Sequence, residues 1–219
     1  MNRLEPIQFV RGLPLMKGIH KSTRGSHEKD YHHEMFSAYE NYIRKLINHF
    51  YDFLGQLWVY LAIFEITLRD FFDFQMRTFY KRTDWWMIEG LLRREEKISL
   101  SRWTGSQDKG AKKTSPVTRV SMSFWIALTS KKYQKRVWAP IKSANNLDKL
   151  GRNQFQKALI SIREVRNKVA HHQDIPTVEL MPTLIKILEL ISILAPSKEK
   201  EMRHRYDDLM VLHSKALIN

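Results

Sequence analysis

The sequence predicts an all-α protein built as a single helical domain. Three observations lead there. Glycine and proline are scarce, 8 and 7 in 219 residues, so turns are few and elements long. Apolar residues make up 43% of a chain long enough to bury a sizeable core. Those residues recur at three- and four-residue intervals, the period of an amphipathic helix.

Residues 1–30 are poorly patterned and mix Gly, Ser, His and charge, which reads as a mobile arm. Residues 31–219 make up the helical domain. From Tyr31 to Tyr80, Ile43, Leu46, Ile47, Phe50, Leu54, Leu57, Leu61, Phe64 and Leu68 keep helical spacing. Such a length predicts at least one break, and Gly55 marks a bend or a close approach. Asp84 is placed to cap a helix opening at Trp85. Residues 101–116 (SRWTGSQDKGAKKTSP) read as a basic loop containing Lys112 and Lys113. A helix over Val117–Leu128 carries Phe124 and Trp125. A basic stretch with Lys131, Lys132, Lys135 and Arg136 runs to Pro140. The segment Arg152–His172 is strongly amphipathic. Pro176 and Pro182 bracket a connection to an apolar helix over Leu184–Leu194, and a last mixed helical pattern follows from Lys198.

There are no cysteines, so disulfides and thiolate metal sites are excluded, and a reducing, cytoplasmic setting fits. The N-terminus has no long apolar stretch, and the most apolar window, Phe53–Phe64, is too short to span a bilayer. No membrane association is expected. Dinucleotide-binding and ATP-binding loops are absent, as is a His-Glu-His metal spacing, and no cofactor is expected.

The formal net charge is +14. Self-repulsion on that scale opposes compaction, so it points to a polyanionic partner. The excess is concentrated. Residues 93–119 hold eight basic and three acidic side chains, and residues 131–168 hold eleven and two. Trp103, Trp125, Tyr133 and Trp138 lie among these charges. If exposed they can stack on unpaired bases; if buried they are core.

Within RNQFQKALISIREVRNKVAHH, residues 152–172, the apolar stripe is Phe155, Ala158, Leu159, Ile162, Val165 and Val169. Arg163, Asn167 and His171 stack on the opposite ridge. Arg166 and His171 differ by about 140° around the helix at roughly 100° per residue. Either the helix ends near Ala170 and His171 bends round, or a second copy completes the site. Arginine supplies permanent donors for a phosphodiester, and histidine can move a proton near neutral pH. Asn167 can hold a phosphate oxygen or orient His171. Arg163 and Lys168 read as phosphate contacts or surface charge, and His172 as support for the helix end.

The string RNKVAH, Arg166 to His171, resembles the arginine–polar–three residues–histidine signature of HEPN ribonucleases. The chain is most similar to their Abi-like, abortive-infection members. FEITLR, residues 64–69, and Ser123-Phe124-Trp125 precede that string in the order found there. The likeness covers roughly Arg44 to Ile175. It implies an all-helical HEPN domain and a metal-independent endoribonuclease. It also implies a role in phage defence or toxin–antitoxin systems, a homodimer, and RNA as substrate or as antitoxin. By this resemblance Arg166, Asn167 and His171 are the catalytic set, and Glu65, Arg69 and His172 support it. Lys112, Lys113, Lys131, Lys132, Lys135, Arg136, Arg163 and Lys168 are the expected RNA contacts. The alternatives are a non-catalytic RNA-binding or regulatory module and a purely structural helical domain.

Overall fold

Phe72, Trp125 and Phe155, three rings far apart in sequence, meet at the centre of the core. The Phe72 centroid lies 5.6 Å from Trp125 and 6.5 Å from Phe155. Trp85 extends the cluster at 6.4 Å from Trp125, and Trp138 at 6.0 Å from Phe155. The computed structural model describes residues 26–104, 116–142, 144, 147–173, 175 and 177–218, with side chains for 35–102, 116–142, 144, 147–173, 175 and 178–211. Among the described residues the structure is all-α, with no strand. Of the arm expected over residues 1–30, residues 1–25 lie outside them, and residues 26–30 are helical, forming the start of α1.

The α-helices are α1 (Ser26–Tyr80), α2 (Arg94–Thr104), α3 (Met122–Leu128), α4 (Ala139–Lys142), α5 (Leu147–Leu150), α6 (Arg152–Ala170), α7 (Thr177–Leu194) and α8 (Pro196–Ile218). The chain divides into two units, Met1–Ile47 and Asn48–Asn219. Described residues of the first unit are the opening part of α1, with Phe36, Tyr39 and Tyr42 exposed. The second unit holds the buried core. No described helix is long and apolar enough to cross a membrane.

Several expectations need correction. α1 is one helix of 55 residues, without the expected break. It contains no proline, and its single glycine costs only about 1 kcal/mol against alanine. Gly55 marks no close approach, because a Cβ there would meet nothing within 4 Å. α1 stops where Lys81 turns left-handed at φ 51°.

Asp84 caps nothing. A short 3-10 turn, Trp85–Met87, follows it, and the Asp84 carboxylate is taken by Arg82 at 2.6 and 2.8 Å. The expected helix over Val117–Leu128 is a 3-10 turn at Pro116–Thr118 followed by α3. Pro182 lies inside α7 rather than before it. The carbonyl deprived of its donor belongs to Val178, which is 77% exposed, so water can replace the lost hydrogen bond. The loop expected at 101–116 is helical up to Thr104, and residues 105–115, with Lys112 and Lys113, lie outside the described residues.

Two features hold α6 in place. Its stripe of Phe155, Leu159, Ile162 and Val165 is buried against the core. Each such side chain contributes about 1.5–3 kcal/mol over the exposed state. At its start Arg152 donates to the Thr129 carbonyl at 2.9 Å. The part of α1 within the second unit is held by similar contacts. Asp73 accepts from the buried Trp85 indole at 2.8 Å and pairs with Arg77 at 2.7 Å. Tyr60 donates to the Met202 carbonyl of α8 at 3.4 Å, and burial pushes its pKa up to about 12, so it remains a neutral donor.

Glu96 of α2 is buried. It accepts from the Tyr133 hydroxyl and from Lys132 at 2.9 Å, and Tyr133 in turn accepts from the Arg93 amide at 2.9 Å. Burial acts to raise the Glu96 pKa, but the two hydrogen bonds outweigh it and hold the carboxyl below its usual value. Tyr133 is pushed up, first by burial and then by Glu96. A carboxylate depressed in the fold contributes stability above its unfolded pKa and loses it as pH falls through the folded value. Glu96→Gln therefore flattens the acid limb of the stability curve below about pH 4. Glu96→Ala lowers stability by about 3 kcal/mol. Urea unfolding across the acid range measures both.

Candidate functional site

The buried stripe of α6 leaves Arg166 at its edge, where the side chain reaches α1 instead of water. Its Nε lies 3.6 Å from Glu65 Oε2, and its guanidinium lies 5.7 Å from the Trp58 ring centroid. Both the ion pair and the cation–π contact are partly solvated, so each contributes no more than about 1 kcal/mol. Together they fix where the charge sits. Arg166 Nη1 also donates to Asn167 Oδ1 at 3.5 Å. Glu65 and Arg69 do not form the intrahelical pair that their spacing allows. Arg69 turns to Asp70 at 3.0 Å and to the Thr118 carbonyl at 3.2 Å.

Arg166 and Arg69 open onto a cleft of ≈ 540 Å³ that also takes in Arg102 of α2 and Arg119. Ser99, Thr118, Ser121 and Ile66 complete much of its wall. Trp125, fully buried, forms part of the lining as well. Four arginines thus line one volume, and among the described residues Glu65 is the one acid in its lining. Among the described residues no histidine lines it. Sequence reasoning counted Arg102 and Arg119 within a basic cluster but did not single them out, nor Trp58. Only the meeting of four separate elements brings these side chains together.

α6 ends within the RNKVAH string. His171 is the C-cap, at φ −104° and ψ 12°. His172 turns left-handed at φ 51°. The Gln173 amide donates to the Lys168 carbonyl at 2.9 Å and the His172 amide to the Val169 carbonyl at 3.2 Å, the paired closure of a Schellman motif. His172 is therefore the residue that terminates the helix. His171 and Asn167 are exposed, and Arg163 is half-buried. The helix ends at Ala170, as the first of the two arrangements requires, but His171 does not join Arg166 in lining the cleft.

The other expected RNA contacts divide. Lys131 and Lys135 are exposed. Lys132 serves the buried Glu96, and Lys168 pairs with Glu179 of α7 at 2.7 Å. Arg136 donates to the Gly90 carbonyl. These three have structural partners that their sequence position did not reveal. Trp125, Tyr133 and Trp138 are buried and belong to the core, so they offer no stacking surface; the Trp103 side chain lies outside the described residues. Trp58, beside Arg166, is 42% exposed. Among the described residues no group of three or more His, Asp or Glu is placed to hold a metal ion.

A non-glycine residue in the left-handed region carries strain that glycine relieves. His172→Gly is expected to raise stability by about 0.5–1 kcal/mol, and His172→Val to lower it, in denaturant melts.

No family model matches the chain, and neither a curated protein nor a solved structure shows significant similarity to it.

Proposed function

We propose that this protein is a metal-independent endoribonuclease of HEPN type, acting as a homodimer, and that RNA is its substrate. The observation that carries the reading is Arg166. It is anchored by Glu65 and Trp58 at the head of a four-arginine cleft, with His171 fixed five residues later at the helix end. A phosphodiester on Arg166 gains charge as its phosphorus becomes five-coordinate, and fixed guanidiniums stabilise that state. Neutral His171 takes the proton from a ribose 2'-hydroxyl. The 2'-oxygen bonds to phosphorus and the P–O5' bond breaks. A protonated His171 then returns a proton to the departing 5'-oxygen. The products carry 2',3'-cyclic phosphate and 5'-hydroxyl ends. Arg166 supplies the positive charge, so no metal ion takes part. Abortive infection or toxin action is the corresponding cellular role.

The homodimer follows from the incompleteness of the cleft. Its lining contains arginine but no histidine, so a second copy is the source of a facing His171. The same side of α1 presents Tyr51, Gly55, Trp58, Ala62 and Ile66 to solvent at spacings of four, three, four and four residues. Tyr51 is 61% exposed and Ile66 44%, and this apolar stripe adjoins Arg166 through Trp58. A second α1 laid along it buries the stripe and brings two α6 ends near one another.

The missing histidine also favours a second reading, a non-catalytic RNA-binding module. Purified protein in chelator decides between them. Wild type is expected to cleave single-stranded RNA to cyclic-phosphate ends. His171→Ala should lose about 10²–10⁴-fold in rate while binding RNA normally. Undiminished cleavage by His171→Ala overturns the mechanism, and salt-sensitive binding without turnover at any protein concentration selects the binding module. Ile66→Glu is expected to give monomers in sedimentation and to lose cleavage with them.

A further inference from the structure

Arg69, Arg102 and Arg119 are not needed for the cleavage step, which uses Arg166 and His171. Their convergence needs a separate account. They come from α1, from the last turn of α2 and from the link before α3, and they share the ≈ 540 Å³ cleft with Arg166. Arg166 pairs there with Glu65 and Arg69 with Asp70, yet all four arginines still line one volume and leave it cationic. The volume lies in the range of sites that hold nucleotide-sized ligands. Guanidiniums match phosphate oxygens in paired geometry, and the hydroxyls of Ser99 and Ser121 add uncharged donors on the same wall.

We infer that Arg69, Arg102 and Arg119 form a phosphate-reading subsite that holds the backbone of single-stranded RNA next to the phosphate on Arg166. The subsite rests on the reading of Arg166 as a phosphate contact. It makes the preferred substrate a strand with consecutive phosphates rather than a lone dinucleotide. Arg69 bonds the Thr118 carbonyl and so also supports the fold. Arg102 and Arg119 are the residues to change.

The test measures binding of a 2'-O-methyl RNA oligonucleotide, which cannot be cut, by fluorescence anisotropy over a series of salt concentrations. The comparison is among wild type, R102Q, the double variant R102Q/R119Q, and R205Q as a charge-matched control on α8. Arg205 pairs with Glu201, away from the cleft residues in sequence and element. The double variant should bind at least about tenfold more weakly. Its slope of log affinity against log salt should fall by about 1.4, since each lost contact to a single strand removes roughly 0.7. R102Q alone should lose about half of that slope, which keeps the test usable if the double variant fails to fold. R205Q should leave the slope unchanged.

Equal losses in R205Q, or unchanged binding in R102Q and the double variant, overturn the subsite. ADP and pyrophosphate are tested as competitors, because a free nucleotide presents the same chemistry. Tight ADP binding that the oligonucleotide does not displace also overturns it, in favour of a nucleotide site. The nuclease reading fails independently. If wild-type protein binds with the arginine-dependent slope but never cuts RNA, the subsite stands and the cleavage mechanism does not.

Discussion

The structure depends on burying one stripe of α6. Phe155, Leu159, Ile162 and Val165 enter a core centred on Phe72 and Trp125, and this fixes the rotation of the helix about its own axis. Once that rotation is set, Arg166 has nowhere to go but along α1, against Glu65 and Trp58. The same burial turns Asn167 and His171 outward. The relation between the arginine and the histidine is thus a consequence of hydrophobic packing, with the polar contacts acting as refinements.

Charge distribution follows a similar logic. Of the basic residues that the sequence groups together, several neutralise a specific acceptor inside the fold. Lys132 satisfies a buried carboxylate, Lys168 joins α6 to α7, and Arg136 holds a loop carbonyl. The cleft arginines have partners too, Glu65 for Arg166 and Asp70 for Arg69, but they differ in gathering on one volume. A count along the chain treats the two groups alike. The proposed RNA contacts are therefore fewer, and more concentrated, than the net charge suggests.

The end of α6 joins helix termination to the proposed chemistry. A left-handed residue is needed to close the helix, and His172 occupies that position in place of the usual glycine. The closure holds the backbone on both sides of His171. A reactive ring at a helix C-cap benefits from such a frame, since its backbone is fixed while its side chain stays in water.

Helix periodicity, scarce glycine and proline, and the stripe of α6 were enough to read the all-α class and the face of α6 that is buried. These are local properties, set by the 3.6-residue turn and by the transfer of apolar groups from water. The RNKVAH string was legible for the same reason, being contiguous. The unbroken length of α1, Pro182 inside α7 and the loss of the Asp84 cap were decided by solvent access and by side-chain pairing, such as that of Asp84 with Arg82 two residues before it, which helical spacing does not determine. The burial of Trp125, Tyr133 and Trp138, and the meeting of Arg69, Arg102, Arg119 and Arg166, belong wholly to tertiary structure. Residues up to 97 positions apart become neighbours there only because the core brings α1, α2, α3 and α6 together.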